Sequence, residues 1–536
     1  MKRNKIAVIF AITSLLAGFH TACTDLEPEI YSDILVDEYY KTPEQFSSLL
    51  ADAYTQLAGE YGYVYREGYW SMQEYTSDEV VVPTRGTDWF DNGVPIAMHT
   101  HTWEENTRDV NNGWSFAYGG VGKCNNILDM IVKLRGKDEN LYDEATIKGI
   151  AETKTLRAFY HLLAMDLYGN VAISASTTEP VKQSSRKEVF AWIEKEILDN
   201  INRLDKTVRY GSVTKPVAHA ILAKLYLNAE VYSGTPRWQD AANQCDSIIN
   251  GNYAYSLNED YYTTFKKANT NNREIIFPIV FDAVKAEGNM FHLMTLHYAQ
   301  QDVYEFTTGT WNGPCTPESF YNKYSPDDKR IAQWFTGPIE KDGKVVTYKR
   351  ERPVLDANGN AIKTADGKKD STVTVTEPAI IVPQVTTIND PTADNTFEGA
   401  RFVKFEIEPG IGHHANSDFP IYRYADILLM KAEALMRING GTATQIAVDL
   451  ANEVRKRTGL TYYTTATLTL PELLDERGRE LAWEGHRRQD QIRFGTYTSG
   501  KWEFMPTGES PNRTVFPIPQ WVLDANPGVY TQNTWK

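Results

Sequence analysis

The sequence predicts a mainly α fold, a scaffold of tetratricopeptide-like helical repeats that carries loop- and hairpin-rich insertions. Three observations predict it. Apolar residues recur at helical spacing through most of the chain. Two distant stretches, "HAILAKLYLNAEVYSGTPRWQDAANQCDSIINGNY" and "RYADILLMKAEALMRINGGTATQIAVDLANEVRKRTG", share one pattern of helix, short turn and Ala-rich second helix, with "LNAEVY" aligning with "MKAEAL". Pairs of about 34 residues with small residues at the crossing have the tetratricopeptide character. Between them lies a long region of strand-like pieces and turns. One helix pair cannot bury its apolar face alone, so the pairs must stack.

The chain opens with the basic leader Met1-Lys2-Arg3-Asn4-Lys5, followed by Ile6 to Phe19, apolar apart from Thr13 and Ser14. This is the pattern of a secretory signal peptide, assigned to residues 1–22. The apolar run is shorter than the roughly 20 residues a spanning helix needs. Thr21 and Ala22 are small and Cys23 follows, the order of a bacterial lipobox in which the Cys23 thiol receives lipid. His20 departs from the aliphatic residue usual at that place, and an ordinary cleavage or a plain signal anchor is the alternative. Several acyl tails hold a protein stably on a membrane at about 0.8 kcal/mol per buried methylene. Residues 23–36 then read as a flexible lipidated leash, and 37–536 as a single domain.

Within that domain the helical parts are about 37–60, 114–250 and 420–495, and the insertions about 61–113 and 251–419. Pro43 to Ala58 is a helix with Thr42 as its cap, Pro43 in its first turn and a stripe of Phe46, Leu49, Leu50, Ala53, Tyr54 and Leu57. Further helices are expected over 114–134, 143–168, 186–205, 216–232, 237–250, 420–438, 443–458 and 470–491. The second insertion holds "REIIFPIVF", "KVVTYK" and "RFVKFEIE", with hairpin turns at Lys341-Asp342-Gly343, Asn358-Gly359 and Asp366-Gly367.

Charge and cysteine usage narrow the chemistry. With 55 basic against 70 acidic residues the net charge is −15, which argues against a nucleic-acid or anionic-lipid partner, since no basic stripe exists to neutralise phosphates. Of the four cysteines, Cys124 and Cys245 stand at helical spacing among apolar residues as buried thiols, and Cys315 lies in a loop. No disulfide framework or zinc spacing is present. Glu476, Glu480 and Glu484 fall at successive four-residue steps, but Arg477, Arg479, Arg487 and Arg488 interleave and Glu484 precedes Arg488 by four, the pattern of a structural salt-bridge network. A glycosidase needs two carboxylates facing each other across a cleft, about 5–10 Å apart. His99 and His101 alternate and His413 and His414 are adjacent; neither pair completes a metal site. No catalytic residue, cofactor or metal is expected.

Two loops stand out. "TSDEVVVPTRGTDWFDNG" gathers Arg85, Asp88, Trp89 and Asp91, and "TTGTWNGPCTPESF" gathers Trp311, Asn312 and Cys315. A Trp on a Gly-flanked loop has no helical face to enter, so it either stands exposed or plugs its own loop. An exposed indole covers the C–H face of a sugar ring while Asp, Asn and Arg bond its hydroxyl rim.

The stretches "AETKTLRAFYHLLAMDLYGNV", "TKPVAHAILAKLYLNAEVY", "FPIYRYADILLMKAEAL", "ERGRELAWEGHRRQDQIRFG" and "FPIPQWVLDANPGVYTQN" together resemble the SusD/RagB family of outer-membrane lipoproteins. At "YGNVAI" the family's proline-containing turn is missing. The resemblance implies a non-catalytic, cell-surface protein tethered to the outer membrane through Cys23. It implies an oligosaccharide ligand and a SusC-like TonB-dependent transporter as partner, over which the protein closes as a lid. The acidic "DLEPE" after the cysteine resembles the surface-export signal of such lipoproteins. In the family the glycan lies on an aromatic platform made by insertion loops, to which the loops at Arg85–Asp91 and Trp311–Cys315 correspond in chain position, with Arg401 and His413 as further candidates. A peptide-binding member of the family, an exported glycoside hydrolase and a repeat scaffold with only protein partners are the rival readings.

Overall fold

The computed structural model describes residues 42–59, 62–64, 67–358, 360–368, 371–499, 502–506 and 510–536. The signal peptide, Cys23, the leash and Gly359 lie outside the described residues. The chain forms two units, Met1–Phe46 and Ser47–Lys536.

Helix α1 (Pro43–Ala58) begins as its sequence dictates: Thr42 Oγ1 accepts from the Gln45 amide at 3.3 Å and Gln45 Oε1 accepts from the Thr42 amide at 3.0 Å. Helix α2 (Tyr69–Glu74) is short and wholly buried. Helices α3 (Arg108–Arg135) and α4 (Glu144–Tyr168) are long and packed together. Their close approach needs a glycine, since a Cβ on Gly120 would lie 2.4 Å from the Tyr160 ring. The Asp143 carboxylate caps α4 by accepting from the Thr146 amide at 2.7 Å. Helix α5 (Arg186–Asn200) starts with a capping box of Ser185 and Glu188.

The two repeat-like pairs are α6 (Lys215–Leu227) with α7 (Trp238–Ile249), and α8 (Tyr424–Ile438) with α9 (Gln445–Arg455). Each helix from α3 to α9 packs on the next, so α7 stacks directly on α8 although the whole second insertion separates them in sequence. Helix α10 (Leu470–Leu481) closes the array on α8, over a core that includes Leu429, Ala432, Val448, Ala451 and Leu473.

The insertion leaves and re-enters through one antiparallel ribbon, β1 (Ile275–Ile279) paired with β4 (Phe419–Arg423). Residues 419–423 are therefore strand rather than the start of a helix, and α8 begins at Tyr424. Between them β2 (Thr347–Pro353) and β3 (Thr372–Pro378) form a hairpin, and Asp342 and Gly343 make the tight turn of a smaller one at φ 53° and 71°.

The loop-rich residues 61–113 also hold α2 and the helix Val94–His99, and Trp70, Met72, Val80 and Val81 are core residues. One further expectation is corrected. The helix expected over 470–491 is two, α10 and α11 (Arg487–Arg493), broken by a turn in which Trp483 has φ 62°. That turn's amides are held from α2 and the segment after it: Gly485 N–H donates to Glu74 Oε1 at 2.6 Å and Trp483 N–H to Glu79 Oε2 at 3.0 Å. Cys124, Cys245 and Cys315 are all buried.

Candidate functional site

The two loops singled out in the sequence meet. Val81 and Cys315 exchange both backbone hydrogen bonds at 2.9 Å, and Thr316 does the same with Ala400 at 3.0 and 2.9 Å, so three distant segments run side by side. On this frame the chain turns tightly at Arg85–Asp88, whose ends also exchange backbone bonds. The other loop is pinned by the amides of Trp311, Asn312 and Gly313, which donate to the carbonyls of Leu293, Leu296 and Met294. Trp89, Asp91, Asn92 and Asn312 all adopt left-handed backbone, at φ 63°, 43°, 55° and 51°. Such strain in non-glycine residues persists only where the surroundings impose it, and it clusters at functional sites.

The result is an open cleft of about 450 Å³ lined by Asp88, Trp89, Asp91, Tyr298, Thr310 and Trp311. The Trp89 N–H donates to the Trp311 carbonyl at 2.6 Å. The Trp89 ring lies flat against Gly313, where a Cβ would sit 2.1 Å from its Cζ2 atom. Trp89 keeps 9% of its surface exposed, and the half-buried Trp311 rests on Leu293, Leu296 and Phe306. Tyr298 donates its hydroxyl to Asp88 Oδ2 at 2.5 Å. Its pKa is raised by burial and by that carboxylate, so it stays a neutral donor. Arg108 stands 3.6 Å from Asp91. Beside Trp89, Phe90 is 50% exposed.

Four of the expected ligand contacts are corrected. Arg85, Asn312, Cys315 and Arg401 are buried and do not line the cleft; the Cys315 thiol lies 3.7 Å from the Val81 carbonyl, and the other three satisfy carbonyls of residues 395–398. Arg85 donates to the carbonyls of Asn395 and Glu398, Arg401 to those of Glu398 and Thr396 at 2.8 and 3.0 Å, and Asn312 Nδ2 to that of Thr396 at 3.0 Å. Burial lowers the pKa of both arginines, and Arg85 adds its repulsion at Arg401. His297, buried and facing Arg401, Arg85 and Arg350, is pushed down to about 2 and is neutral, its backbone carbonyl accepting from Thr310 Oγ1 at 2.9 Å. His413 is exposed on another loop, 3.4 Å from Thr308 Oγ1, and does not line the cleft. Sequence reasoning missed Tyr298 and Thr310 among the lining residues. Nothing local marks Tyr298 in "TLHYAQ".

The glutamates of α10 and the following turn are structural. Glu476 pairs with Arg330, Arg455 and Arg479 at 2.9, 2.9 and 2.8 Å. Glu480 pairs with Arg330, Arg423 and Arg457 at 3.0, 2.7 and 2.6 Å. Glu484 pairs with Lys404 at 2.5 Å and Arg423 at 2.7 Å. Burial alone would raise Glu476 and Glu480; the guanidiniums of Arg330 and Arg479 nevertheless hold Glu476 at about 2, and Arg457, Arg423 and Arg330 hold Glu480 well below the usual carboxylate range. The network differs from its sequence expectation in its partners. Apart from Arg479, the interleaved arginines face elsewhere, Arg477 to Asp426 and Asp490, Arg487 to Asp78 and Arg488 to Asp166. No Glu484–Arg488 pair forms, because the break at Trp483 separates the two helices. Among the described residues no group of three or more His, Cys, Asp or Glu side chains is placed to hold a metal ion.

Comparison with known proteins gives this arrangement a lineage. The SusD family model matches residues 294–535, and a model described as starch-binding associating with outer membrane matches residues 31–227. The starch-binding protein SusD of Bacteroides thetaiotaomicron is 28% identical over 419 residues, 72% of each chain. The SusD-like protein P25 of Formosa agariphila is 24% identical, over 78% of this chain and 77% of its own. Among solved structures, a SusD superfamily protein from Parabacteroides distasonis has a TM-score of 0.70 at 19% identity, covering 92% of this chain and 99% of its own. Surface glycan-binding protein A from Bacteroides thetaiotaomicron, in complex with laminarihexaose, has a TM-score of 0.67 at 22% identity, covering 91% and 99%. The two family models lie in order along one chain, over residues 31–227 and 294–535, and the chain belongs to the SusD/RagB family.

Proposed function

We propose that the protein captures oligosaccharide at the cell surface without cleaving it and delivers it to a TonB-dependent outer-membrane transporter, over which it acts as a lid. The observation that carries this reading is the cleft itself: two indoles from distant loops share it with a neutral Tyr298 hydroxyl and the carboxylates of Asp88 and Asp91. Aromatic faces with a few fixed polar groups suit a ring that is apolar on its face and hydroxylated at its edge. The starch-binding and laminarihexaose-bound relatives support the ligand class. Two carboxylates at the cleft and a net charge of −15 favour a neutral glycan over a uronate-rich or sulfated one. The lipid anchor on Cys23 and the transporter partner rest on the signal-like leader and on the family.

The test is a binding screen of neutral glucans, uronate-containing glycans and peptides, run beside an assay for released reducing ends. The reading predicts saturable binding of a neutral glycan and no release. Binding of peptides alone, or sustained release of reducing ends, would overturn it.

A further inference from the structure

The side of the cleft formed by Asp88 and Tyr298 adjoins the β2–β3 hairpin. The His297 ring touches both, its centroid 5.6 Å from that of Tyr298 and 5.0 Å from that of Tyr348 on β2. Tyr348 also stands nearly perpendicular to Phe397, at 5.9 Å, and packs on the buried cluster of Ile339, Ala379 and Ile381. Side chains alternate along a strand, so Tyr348, Arg350 and Arg352 share the half-buried face of β2 while Thr347, Lys349 and Glu351 point to solvent.

The charged members of the half-buried face are matched. Arg350 and Arg352 both pair with Glu377 and Asp394, and the Arg350 guanidinium lies 5.2 Å from the Phe397 ring centroid. Tyr348 is thus fixed on a paired strand, and a side chain ordered before binding loses little freedom to a ligand. Its hydroxyl differs from its neighbours: it is open to solvent and makes no hydrogen bond among the described residues. Burial of the ring raises its pKa, which Arg350 opposes and the Asp88 charge reinforces. The Tyr298 hydroxyl, raised by burial and by Asp88, feels Tyr348 in turn. Two neutral hydroxyls and one carboxylate therefore stand within electrostatic reach of one another, and groups suited to sugar hydroxyls continue from the cleft onto the hairpin.

We infer that the glycan track runs past Tyr298 onto the β2–β3 hairpin, where the Tyr348 hydroxyl bonds one further sugar unit, so that the site favours longer chains over short ones. The inference rests on the reading of the Trp89–Trp311 cleft as a glycan site. A short glycan seated between the indoles does not reach Tyr348. A longer one does, and the added hydrogen bond strengthens its binding by about three- to tenfold.

The test is calorimetric titration of the full mature protein with laminari-, malto-, manno- and xylo-oligosaccharides, each as a ladder from disaccharide to heptasaccharide. In a series that binds, affinity should rise with length and then level off. Tyr348→Phe keeps the ring and loses only the hydroxyl. It should match wild type with the shortest member that binds, fall about three- to tenfold behind with the longer ones, and melt at the wild-type temperature. Lys349→Ala, on the opposite face of β2, should match wild type at every length, and Trp311→Ala should weaken every length. The inference alone is overturned if Trp311→Ala loses affinity while Tyr348→Phe equals wild type at every length, weakens the shortest and longest members equally, or is reproduced by Lys349→Ala. If no series binds, or if Trp311→Ala binds every length as wild type does, the cleft reading fails and this inference falls with it.

Discussion

Trp89 shows how one residue serves two ends. Its ring lines the cleft, yet its N–H is bonded to the Trp311 carbonyl and its face lies on Gly313, so the sequence alternatives of exposure and self-plugging are both partly realised. For that reason Trp89→Ala should lower stability together with affinity. Gly313→Ala is the cleaner probe: the added methyl meets the ring at 2.1 Å and must move it, while every aromatic and carboxylate of the cleft remains. Calorimetric titration of that variant should give glycan affinity at least about tenfold weaker, one step of ~1.4 kcal/mol. Unchanged affinity would mean the Trp89 ring does not touch ligand. Glu74 is the second residue with a measurable signature. Burial raises it to about 7, against the lowering pull of the Gly485 amide and Arg487, with Glu79 and Asp78 close by. A carboxyl raised in the folded state gives stability that is full below its unfolded value, about 4.3, and is lost as pH rises through about 7. Thermal melts from pH 5 to pH 8 should therefore fall more steeply for the wild type than for Glu74→Gln, which keeps a side-chain oxygen for Gly485 and does not ionise. Parallel curves would contradict the assignment. The two loops with tryptophan beside glycine were legible in the sequence as candidates for a site; which of their polar neighbours line the cleft was not. Arg85 and Arg401 turn inward because the loop carbonyls of Glu398, Thr396 and Asn395 need donors, a demand that exists only once the fold has formed.

At the scale of elements, the long periodic helices and both repeat pairs were readable because their apolar stripes are local. The break between α10 and α11 was not, since its strained backbone is stabilised by Glu74 and Glu79, some 400 residues away in sequence. The strand at 419–423 was likewise hidden, because its partner Ile275–Ile279 lies at the far end of the insertion. What locks these elements together is α10. Through Glu480 it binds Arg330 from the insertion, Arg423 from β4 and Arg457 just beyond α9, all buried. Glu480→Ala leaves three guanidiniums without that partner. Breaking a buried pair from one side typically costs about 3–5 kcal/mol, so denaturant unfolding should show a loss of that size or failure to fold. A loss below about 1 kcal/mol, the range of an exposed pair, would contradict the account.

For the whole molecule, the family was legible because the stretches that carry the resemblance build the scaffold, and the ligand was not, because the cleft is assembled from insertion loops that follow no fixed motif. The same separation governs the tests. The proposed lipid anchor is tested at the leader: labelled fatty acid should enter the wild type and not Cys23→Ser, and equal labelling would remove the lipobox reading. The proposed capture is tested at the cleft, where Trp311 is the most telling member, since its carbonyl rather than its ring holds Trp89 in place. Truncating a stacking aromatic at a hot spot costs at least ~2 kcal/mol of binding, roughly thirtyfold, whereas emptying a core position costs about 3–5 kcal/mol of stability. The most direct measurement is therefore calorimetric titration of wild type and Trp311→Ala with the neutral glycan found in the screen, paired with thermal melts of both. The account predicts affinity at least about thirtyfold weaker with a melting temperature lowered only slightly. Wild-type affinity in a folded Trp311→Ala protein, or binding lost only through unfolding, would contradict it.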